Sequence, residues 1–188
     1  MFLDLDETLI HTVGNEQEAD YVLNITGRTS KTKIRFNVRP FVKEFLRTVS
    51  KYYEIYIFTA ATFHYANVIC NFLDPANRFI KGIFDRNYCF QVKKGFNVKD
   101  LRIFKNRSLE NVALVDNMPH SYAFQPNNGI PILSWFSNQK DTELKYLTEF
   151  LIDAAFKDDL TVHLKNYFKL EELVNYSEEE LLKDLSFN

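Results

Sequence analysis

Three short apolar segments in this chain each end in a cluster of polar side chains, and this repetition restricts the possible folds more than any other feature. The first segment runs into Asp4 and Asp6, the second ends at Thr59, and the third ends at Asp116 and Asn117. Continuous apolar runs of this kind are typical of parallel strands that are buried on both faces. Because the carboxyl ends of parallel strands meet at one edge of an open α/β sheet, we expect the three clusters to converge there.

Asp4 and Asp6 are separated by one residue, so in an extended strand both side chains point to the same face. Two neighbouring carboxylates repel each other unless a cation or a substrate compensates their charge. The pair therefore indicates a functional site, although an acidic turn after an ordinary strand would give the same residues. Met1 lies only three residues before Asp4. Either the strand is short at its amino end, or the natural protein continues upstream.

The composition favours one globular domain. The chain has 188 residues, of which 46% are hydrophobic and 15% aromatic, enough for a sizeable core. The net charge of −2 gives no global attraction to nucleic acid. No apolar run approaches the ~20 residues of a membrane span. Cys70 and Cys89 have no metal-ligand spacing and favour a reducing intracellular compartment, nuclear or cytoplasmic. We also expect a monomer.

The spacing of apolar residues predicts that strands and helices alternate along the chain. The expected strands are residues 54–58, 111–115 and 129–133, with a β-hairpin formed by residues 19–25 and 33–38. The expected helices are residues 63–73, 141–154, 158–168 and 177–185, and one that begins at Arg39 and Pro40. Asp141 is the expected N-cap of its helix.

Residues 79–97 contain short strand-like pieces broken by Gly82 and Gly95, which indicate a small antiparallel insertion outside the main sheet. About 40 residues separate Thr59 from Lys99, too few for a cap domain that would need a core of its own. A site at this edge without a large lid is open to a macromolecule.

The polar residues expected at this edge match what phosphoryl transfer requires. One carboxylate attacks phosphorus and forms an aspartyl-phosphate, while a second protonates the leaving oxygen and later deprotonates a water molecule. Mg²⁺ is the usual partner of carboxylates and phosphate oxygens, and a hydroxyl and a lysine can bind the remaining phosphoryl oxygens. Phosphoryl transfer depends mainly on positioning and electrostatic stabilisation, so this set of groups is sufficient.

Residues 4–9, Asp-Leu-Asp-Glu-Thr-Leu, resemble the DxDxT/V signature of haloacid-dehalogenase-type phosphatases. More narrowly, the chain resembles the small phosphatases related to the RNA polymerase II C-terminal-domain phosphatases, the NLI-interacting-factor-like group that includes Dullard. Further segments that carry this resemblance, in chain order, are Phe58-Thr59-Ala60, Val98-Lys99-Asp100-Leu101, Val115-Asp116-Asn117-Met118-Pro119 and Ser134-Trp135-Phe136.

The resemblance runs from residue 2 to about residue 166 and implies a fold class. That fold is a Rossmann-like α/β haloacid-dehalogenase fold, with a central parallel sheet, flanking helices and a β-hairpin after the first motif. A small antiparallel β insertion, about 79–97, takes the place of a large cap domain. We expect a phosphatase domain at residues 1–168 and a C-terminal helical extension at residues 169–188.

The resemblance also implies which residues carry the metal and the chemistry. Asp4 would be the nucleophile and a Mg²⁺ ligand. Asp6 would be the general acid and base, and its backbone carbonyl would bind the metal. Asn117 would be the third protein ligand of the metal. Asp116 would lie beside the metal and Lys99, in contact through water.

The remaining roles implied by the resemblance concern the substrate phosphate. Thr59 and Lys99 would bind the phosphoryl oxygens and take part in catalysis, and Thr8 would hydrogen-bond within the motif loop at the substrate site. Arg86 matches a family arginine near the substrate phosphate. The spacing from Arg86 to Cys89 is one residue longer than usual in the family. The match to the family pattern is therefore weaker for Arg86 than for the other residues.

These inferences predict a Mg²⁺-dependent protein serine/threonine phosphatase that acts through an aspartyl-phosphate intermediate. In the family, small inserted strands help to bind an extended Ser/Thr-Pro phosphopeptide, such as the RNA polymerase II C-terminal domain. The expected partner is thus a phosphorylated protein, with no direct nucleic-acid binding and no membrane segment. Three alternatives are a Dullard-like phosphatase for another phosphoprotein, a non-catalytic binding module on the same fold, and a small-molecule phosphatase, which the missing cap disfavours.

Overall fold

The structure is a computed structural model that describes residues 1–26, 31–92 and 95–171. The strands, in chain order, are β1 (Phe2–Leu3), β2 (Ile10–Thr12), β3 (Tyr21–Thr26), β4 (Lys31–Val38), β5 (Ile55–Phe58), β6 (Ile80–Phe84), β7 (Phe90–Gln91), β8 (Asn97–Val98), β9 (Leu114–Asp116) and β10 (Gly129–Pro131). The α-helices are α1 (Val42–Val49), α2 (Phe63–Leu73), α3 (Glu143–Ala154) and α4 (Leu160–Phe168). Short 3₁₀-helices lie at Arg86–Tyr88, Leu101–Ile103, Leu109–Asn111, Pro119–Tyr122 and Pro126–Asn128.

A five-stranded parallel sheet in the order β10–β9–β1–β5–β6 forms the centre of the molecule. β1 is its middle strand, where Phe2 pairs with Tyr56 of β5 and with Leu114 of β9. Although β1 is short, the Asp4 N–H continues its ladder and donates to the Val115 carbonyl at 2.9 Å. The carboxyl ends of β1, β5 and β9 therefore lie side by side, which confirms the convergence predicted from the sequence.

Successive side chains of the sheet enter two hydrophobic clusters on opposite faces. Leu3 and Val115 belong to the larger cluster, to which all four α-helices contribute buried residues. Phe2 and Leu114 belong to the smaller cluster, which the loop residue Tyr122 helps to cover. Both faces of the central strands are thus buried, as expected for strands with continuous apolar sequences.

A second, antiparallel sheet has the order β2–β4–β3 and contains the predicted hairpin as β3 and β4. β2 was not predicted, because three residues are too few to show an alternating pattern. Ile10 of β2 pairs with Val38 of β4, directly after the acidic motif. The loop that carries Asp6 is therefore held between the parallel sheet and the hairpin.

The prediction that residues 79–97 form only an antiparallel insertion is wrong for the first part of this stretch. β6 pairs in parallel with β5 and is the edge strand of the main sheet, while only β7 and β8 form the small antiparallel pair. Gly82 suggested a break in the chain, but it lies within β6. It lies opposite Tyr56 of β5, next to a shift in the strand register, and a Cβ there would be in ordinary van der Waals contact with the Tyr56 ring, at 3.4 Å.

Two predicted helix starts also differ from the structure. α1 begins at Val42 rather than near Pro40, after Phe41 adopts a left-handed backbone with φ of 69°. α3 has Thr142 at its N-cap position, one residue after the predicted Asp141, but the Asp141 carboxylate still accepts the Glu143 N–H at 3.2 Å while it also binds Arg39. The predicted helix at 177–185 lies outside the described residues. Among the helices that are described, none has the length and apolar composition to cross a bilayer.

Candidate active site

A cleft of about 340 Å³ opens at the carboxyl edge of the parallel sheet. Of the eight residues assigned to the site from the sequence, the seven that line this cleft are Asp4, Asp6, Thr59, Arg86, Lys99, Asp116 and Asn117. Thr8 lies fully buried just below, in contact with Asp4. The structure therefore brings the predicted residues together, although the chemical role of each remains a prediction.

Lys99 is a buried cation placed between two buried carboxylates. Its Nζ lies 2.5 Å from Asp4 Oδ1 and 2.6 Å from Asp116 Oδ2, and the side chain is only 2% exposed. Burial alone would lower the pKa of Lys99, but Asp4 and Asp116 outweigh it and raise that pKa, so the ammonium keeps its proton. Burial raises the pKa of Asp4, and Lys99 opposes that shift. Lys99 is thus the group that makes two adjacent buried carboxylates tolerable.

The Thr8 hydroxyl connects the first and third polar clusters. It lies 3.1 Å from Asp4 Oδ2 and 3.4 Å from Asn117 Oδ1. Because one hydroxyl proton cannot fully satisfy two acceptor oxygens, both oxygens retain capacity for a further donor or a cation. The Asn117 Nδ2 donates to Ser134 Oγ at 2.9 Å, which turns the amide oxygen of Asn117 toward Thr8.

These oxygens fit the ligand set that the sequence assigns to Mg²⁺. That set is the Asp4 carboxylate, the Asn117 amide oxygen and the Asp6 backbone carbonyl, all oxygen ligands of the hard type that Mg²⁺ takes together with water. Within residues 1–26, 31–92 and 95–171, no group of three or more His, Cys, Asp or Glu side chains could hold a metal.

Asp6 has surroundings unlike those of Asp4. Its Oδ1 accepts a hydrogen bond from the Tyr65 hydroxyl, and Thr12 Oγ1 lies 2.5 Å from the Tyr65 oxygen and 3.4 Å from Oδ1. Burial raises the pKa of Asp6 to about 6, against the opposing effect of the Tyr65 hydrogen bond. We had assigned no role to Tyr65 or Thr12 from the sequence. They come from α2 and β2, and no spacing pattern links them to the acidic motif.

Thr59 directly follows β5 and Arg86 follows β6, and the two residues lie on the same wall of the cleft. Thr59 is 1% exposed, and its hydroxyl accepts a hydrogen bond from the Ala61 N–H at 3.0 Å. Arg86 Nε donates to the Ala60 carbonyl at 2.6 Å. The unusual spacing after Arg86 therefore does not move this residue away from the cleft.

Exposed apolar and aromatic side chains form the outer rim of the cleft. Phe96 is 44% and Met118 is 43% exposed. The Phe96 ring lies 4.7 Å from the His120 ring, and all three residues line the cleft. Burial, and to a lesser extent Lys99, lower the pKa of His120.

A buried ion pair between Arg39 and Asp141 holds the backbone of the loop that carries Asp6 and Thr8. Arg39, 1% exposed, makes two hydrogen bonds to the Asp141 carboxylate at 2.8 and 3.0 Å. Its third contact is a donation from Nη1 to the Thr8 carbonyl at 3.1 Å. The backbone N–H of Trp135 donates to the backbone carbonyl of Glu7. Glu7 itself has a left-handed backbone, with φ of 57°. The turn between Asp6 and Thr8 is thus held on both sides.

The fold and this cleft together define a haloacid-dehalogenase-type protein. The structure of Fcp1, described as an essential RNA polymerase II CTD phosphatase, matches with a TM-score of 0.68 at 16% identity, over 82% of this chain and 61% of that chain. A similarity at this identity establishes the fold alone. The family model for NLI interacting factor-like phosphatases matches residues 1–161, and the chain belongs to that family.

Relatives of known name agree with this family. CTD small phosphatase-like protein 2 of Dictyostelium discoideum is 38% identical over 93% of this chain and 30% of its own length. Human carboxy-terminal domain RNA polymerase II polypeptide A small phosphatase 1 is 35% identical over 84% of this chain and 60% of its own. CTD nuclear envelope phosphatase 1B of Danio rerio is 36% identical over 85% of this chain and 68% of its own length. The chain thus spans less than two thirds of the first two relatives.

Proposed function

We propose that this protein is a Mg²⁺-dependent protein serine/threonine phosphatase that works through an aspartyl-phosphate intermediate. The observation that carries the proposal is the pairing of two carboxyls with different surroundings at one strand end. Asp4 is buried against Lys99, and Asp6 lies on the same cleft among neutral hydroxyls. Membership of a phosphatase family supports the same conclusion.

The two aspartates divide the chemistry between them. An Asp4 oxygen attacks phosphorus, and the bond from phosphorus to the serine or threonine oxygen breaks as Asp6 gives that oxygen its proton. Asp6, now ionised, takes a proton from water as the water oxygen attacks the same phosphorus. The bond from phosphorus to Asp4 then breaks, and inorganic phosphate leaves with Asp6 protonated again.

The other cleft residues bind and orient the phosphoryl group. Lys99 and the Thr59 hydroxyl offer donors to phosphoryl oxygens, and Arg86 adds a guanidinium at the rim. Asp4, Asn117 and the Asp6 carbonyl would hold Mg²⁺. When bound, the ion would neutralise negative charge on the phosphoryl oxygens. Asp116 keeps Lys99 in place through its 2.6 Å contact.

The shape of the cleft and the names of the relatives support a proposal for the substrate class. Phe96 and Met118 give the open rim an apolar surface that an extended peptide can contact. Relatives are named for the RNA polymerase II C-terminal domain, and others for the nuclear envelope. We therefore propose a phosphoprotein substrate with Ser/Thr-Pro sites, such as that domain, with another phosphoprotein as the alternative. We place the protein inside the cell, nuclear or cytoplasmic, as a monomer with its phosphatase domain at residues 1–168.

A non-catalytic binding module is the competing function, and one experiment separates the two. Purified protein is assayed with Mg²⁺ on an aryl phosphate and on a panel of phosphoserine peptides, beside Asp4→Asn and a control, Asp153→Asn, at an exposed carboxylate on α3. We expect Asp4→Asn and EDTA to abolish phosphate release, and Asp153→Asn to have no effect. Transient radiolabel on the protein that hydroxylamine removes should require Asp4. Peptide binding without turnover in the parent protein would establish the binding module instead.

A further inference from the structure

Three hydroxyl and carboxyl groups from three separate elements meet beside the cleft. Tyr65 lies in the first turn of α2, Thr12 ends β2, and Asp6 belongs to the loop after β1. The Tyr65 hydroxyl donates to Asp6 Oδ1, and Thr12 Oγ1 lies 3.4 Å from the same oxygen. The Thr12 and Tyr65 oxygens are 2.5 Å apart, so each group contacts the other two.

The two carboxyl oxygens of Asp6 have different hydrogen-bond partners. The Tyr65 hydroxyl donates to Oδ1, and Thr12, with one proton, supports Tyr65 through the shorter 2.5 Å contact, whereas Oδ2 accepts no hydrogen bond from any described residue. Asp6 itself lines the cleft. A carboxyl held by one oxygen keeps one orientation, and its second oxygen is available for proton exchange with a bound substrate.

We propose that Tyr65, supported by Thr12, is a positioning residue that fixes the Asp6 carboxyl for proton transfer to the leaving oxygen. This inference rests on the proposed phosphatase function. Tyr65 keeps its own proton throughout, since the proton that moves travels between Asp6 and the leaving oxygen and later between water and Asp6. No other bond to Tyr65 or Thr12 forms or breaks.

Two other roles for Tyr65 would leave different signatures. Its ring packs against the larger hydrophobic cluster, so it could act only through stability. Its hydroxyl could also contact the peptide substrate, which would affect KM for peptides. Neither role predicts an effect that depends on the leaving group, whereas a defect in general acid catalysis does.

The test compares Tyr65→Phe with the parent on two substrates in Mg²⁺. A phosphoserine leaves as an alkoxide and needs a proton, whereas 4-nitrophenolate leaves well without one. We expect kcat/KM to fall at least about tenfold for a phosphoserine peptide and to stay within about threefold for 4-nitrophenyl phosphate. For the aryl substrate, kcat and KM should fall together, because Asp6 still has to activate water in the second step.

Two further variants complete the design. Thr12→Val should give the same pattern with a smaller effect, and the double variant should lose less than the product of the two single effects, since the residues act as one unit. Tyr53→Phe is the matched control, because it removes the hydroxyl of a half-buried tyrosine that donates to the Leu151 carbonyl at 2.8 Å, away from the cleft. It should leave both kcat/KM values unchanged.

Several outcomes would overturn the inference while leaving the proposed function intact. An equal loss on both substrates would assign Tyr65 a structural role, and a thermal melt of Tyr65→Phe would reveal it as lost stability. A higher KM for the peptide at unchanged kcat would make Tyr65 a substrate contact. If the parent releases no phosphate from either substrate, or if Asp4→Asn matches it, the proposed function itself fails.

Discussion

The two carboxyls of the motif are only one residue apart, yet the structure holds them by opposite means. Asp4 is fixed by charge, through a buried lysine shared with Asp116. Asp6 is fixed by neutral hydroxyls from Tyr65 and Thr12, at the boundary between core and solvent. A nucleophile must stay ionised and immobile, which suits a buried ion pair. An acid that also acts as a base must exchange protons, which suits neutral partners.

The largest expected effect comes from removing the buried cation that fixes Asp4. Lys99→Met leaves Asp4 and Asp116 buried without a counter-charge, and we expect a loss of about 3–5 kcal/mol in the free energy of unfolding. Urea denaturation in EDTA measures this loss without interference from metal. Lys105→Met, at an exposed lysine, is the control and should stay within about 0.5 kcal/mol. A loss as small as that of the control would show that the ion pair does not govern this side of the cleft.

The second largest expected effect is the stabilisation by Mg²⁺, which should depend on the Asp6 side chain less than on the proposed side-chain ligands. Binding to the folded state alone adds about 2.7 kcal/mol of stability at a hundredfold excess over Kd, which appears as a higher Tm. Asn117→Ala should abolish this shift because it removes a ligand oxygen. Asp6→Asn should retain it, since only the backbone carbonyl of Asp6 is assigned to the metal. A Mg²⁺-induced shift that survives in Asn117→Ala and disappears in Asp6→Asn would reverse the assignment.

The loop that joins the two aspartates depends on Arg39. Arg39→Lys keeps the charge but cannot bind Asp141 through two parallel hydrogen bonds, so we expect a loss of about 2 kcal/mol in unfolding free energy. Arg47→Lys is the matched control, because Arg47 is exposed and its ion pair with Glu44 is long, at 3.7 Å. Chemical denaturation of both variants tests this expectation. Equal stabilities would mean that the buried pair contributes nothing beyond a surface pair.

The smallest expected effect concerns a third carboxylate, held by backbone groups rather than by charge or hydroxyls. Burial alone would raise the pKa of Asp74, but N–H donations from Ile80, Phe79 and Arg78 outweigh it and lower the pKa below the ordinary 3.8. A carboxyl with a lowered pKa stabilises the fold above its unfolded pKa, and this contribution is lost as pH falls through the folded value.

Asp74→Asn should therefore be less stable than the parent at neutral pH, and the difference should shrink below about pH 4. Thermal melts across a pH series measure it, with Asp153→Asn at an exposed aspartate as the control. A difference that stays constant down to strongly acidic pH would mean that the effect of Asp74 does not come from its charge.

The sequence was sufficient to predict which residues meet around Asp4 but not which residues surround Asp6. Asp4, Lys99 and Asn117 each follow a recognisable strand end or motif, and parallel strands bring such ends together whatever the loops do. Tyr65 and Thr12 carry no charge and lie on elements whose relative position depends on tertiary packing. The contact of their hydroxyls with Asp6 is therefore visible only in three dimensions.

The errors in the fold have the same origin. Glycine often interrupts strands, but Gly82 continues β6 opposite Tyr56 of β5, a partner that the local sequence does not specify. The Asp141 carboxylate accepts the Glu143 N–H at the start of α3, but it also binds Arg39, about a hundred residues earlier in the chain. In both cases a contact between residues distant in sequence completes the local structure.

The central position of β1 has a consequence for how the protein is made. Asp4 contacts Lys99, which is synthesised 95 residues later, and the loop behind Asp4 is held by a pair 102 residues apart. A chain still attached to the ribosome therefore carries Asp4 long before it carries the groups that restrain it. The proposed activity should arise only once the segment around Asp141 has emerged.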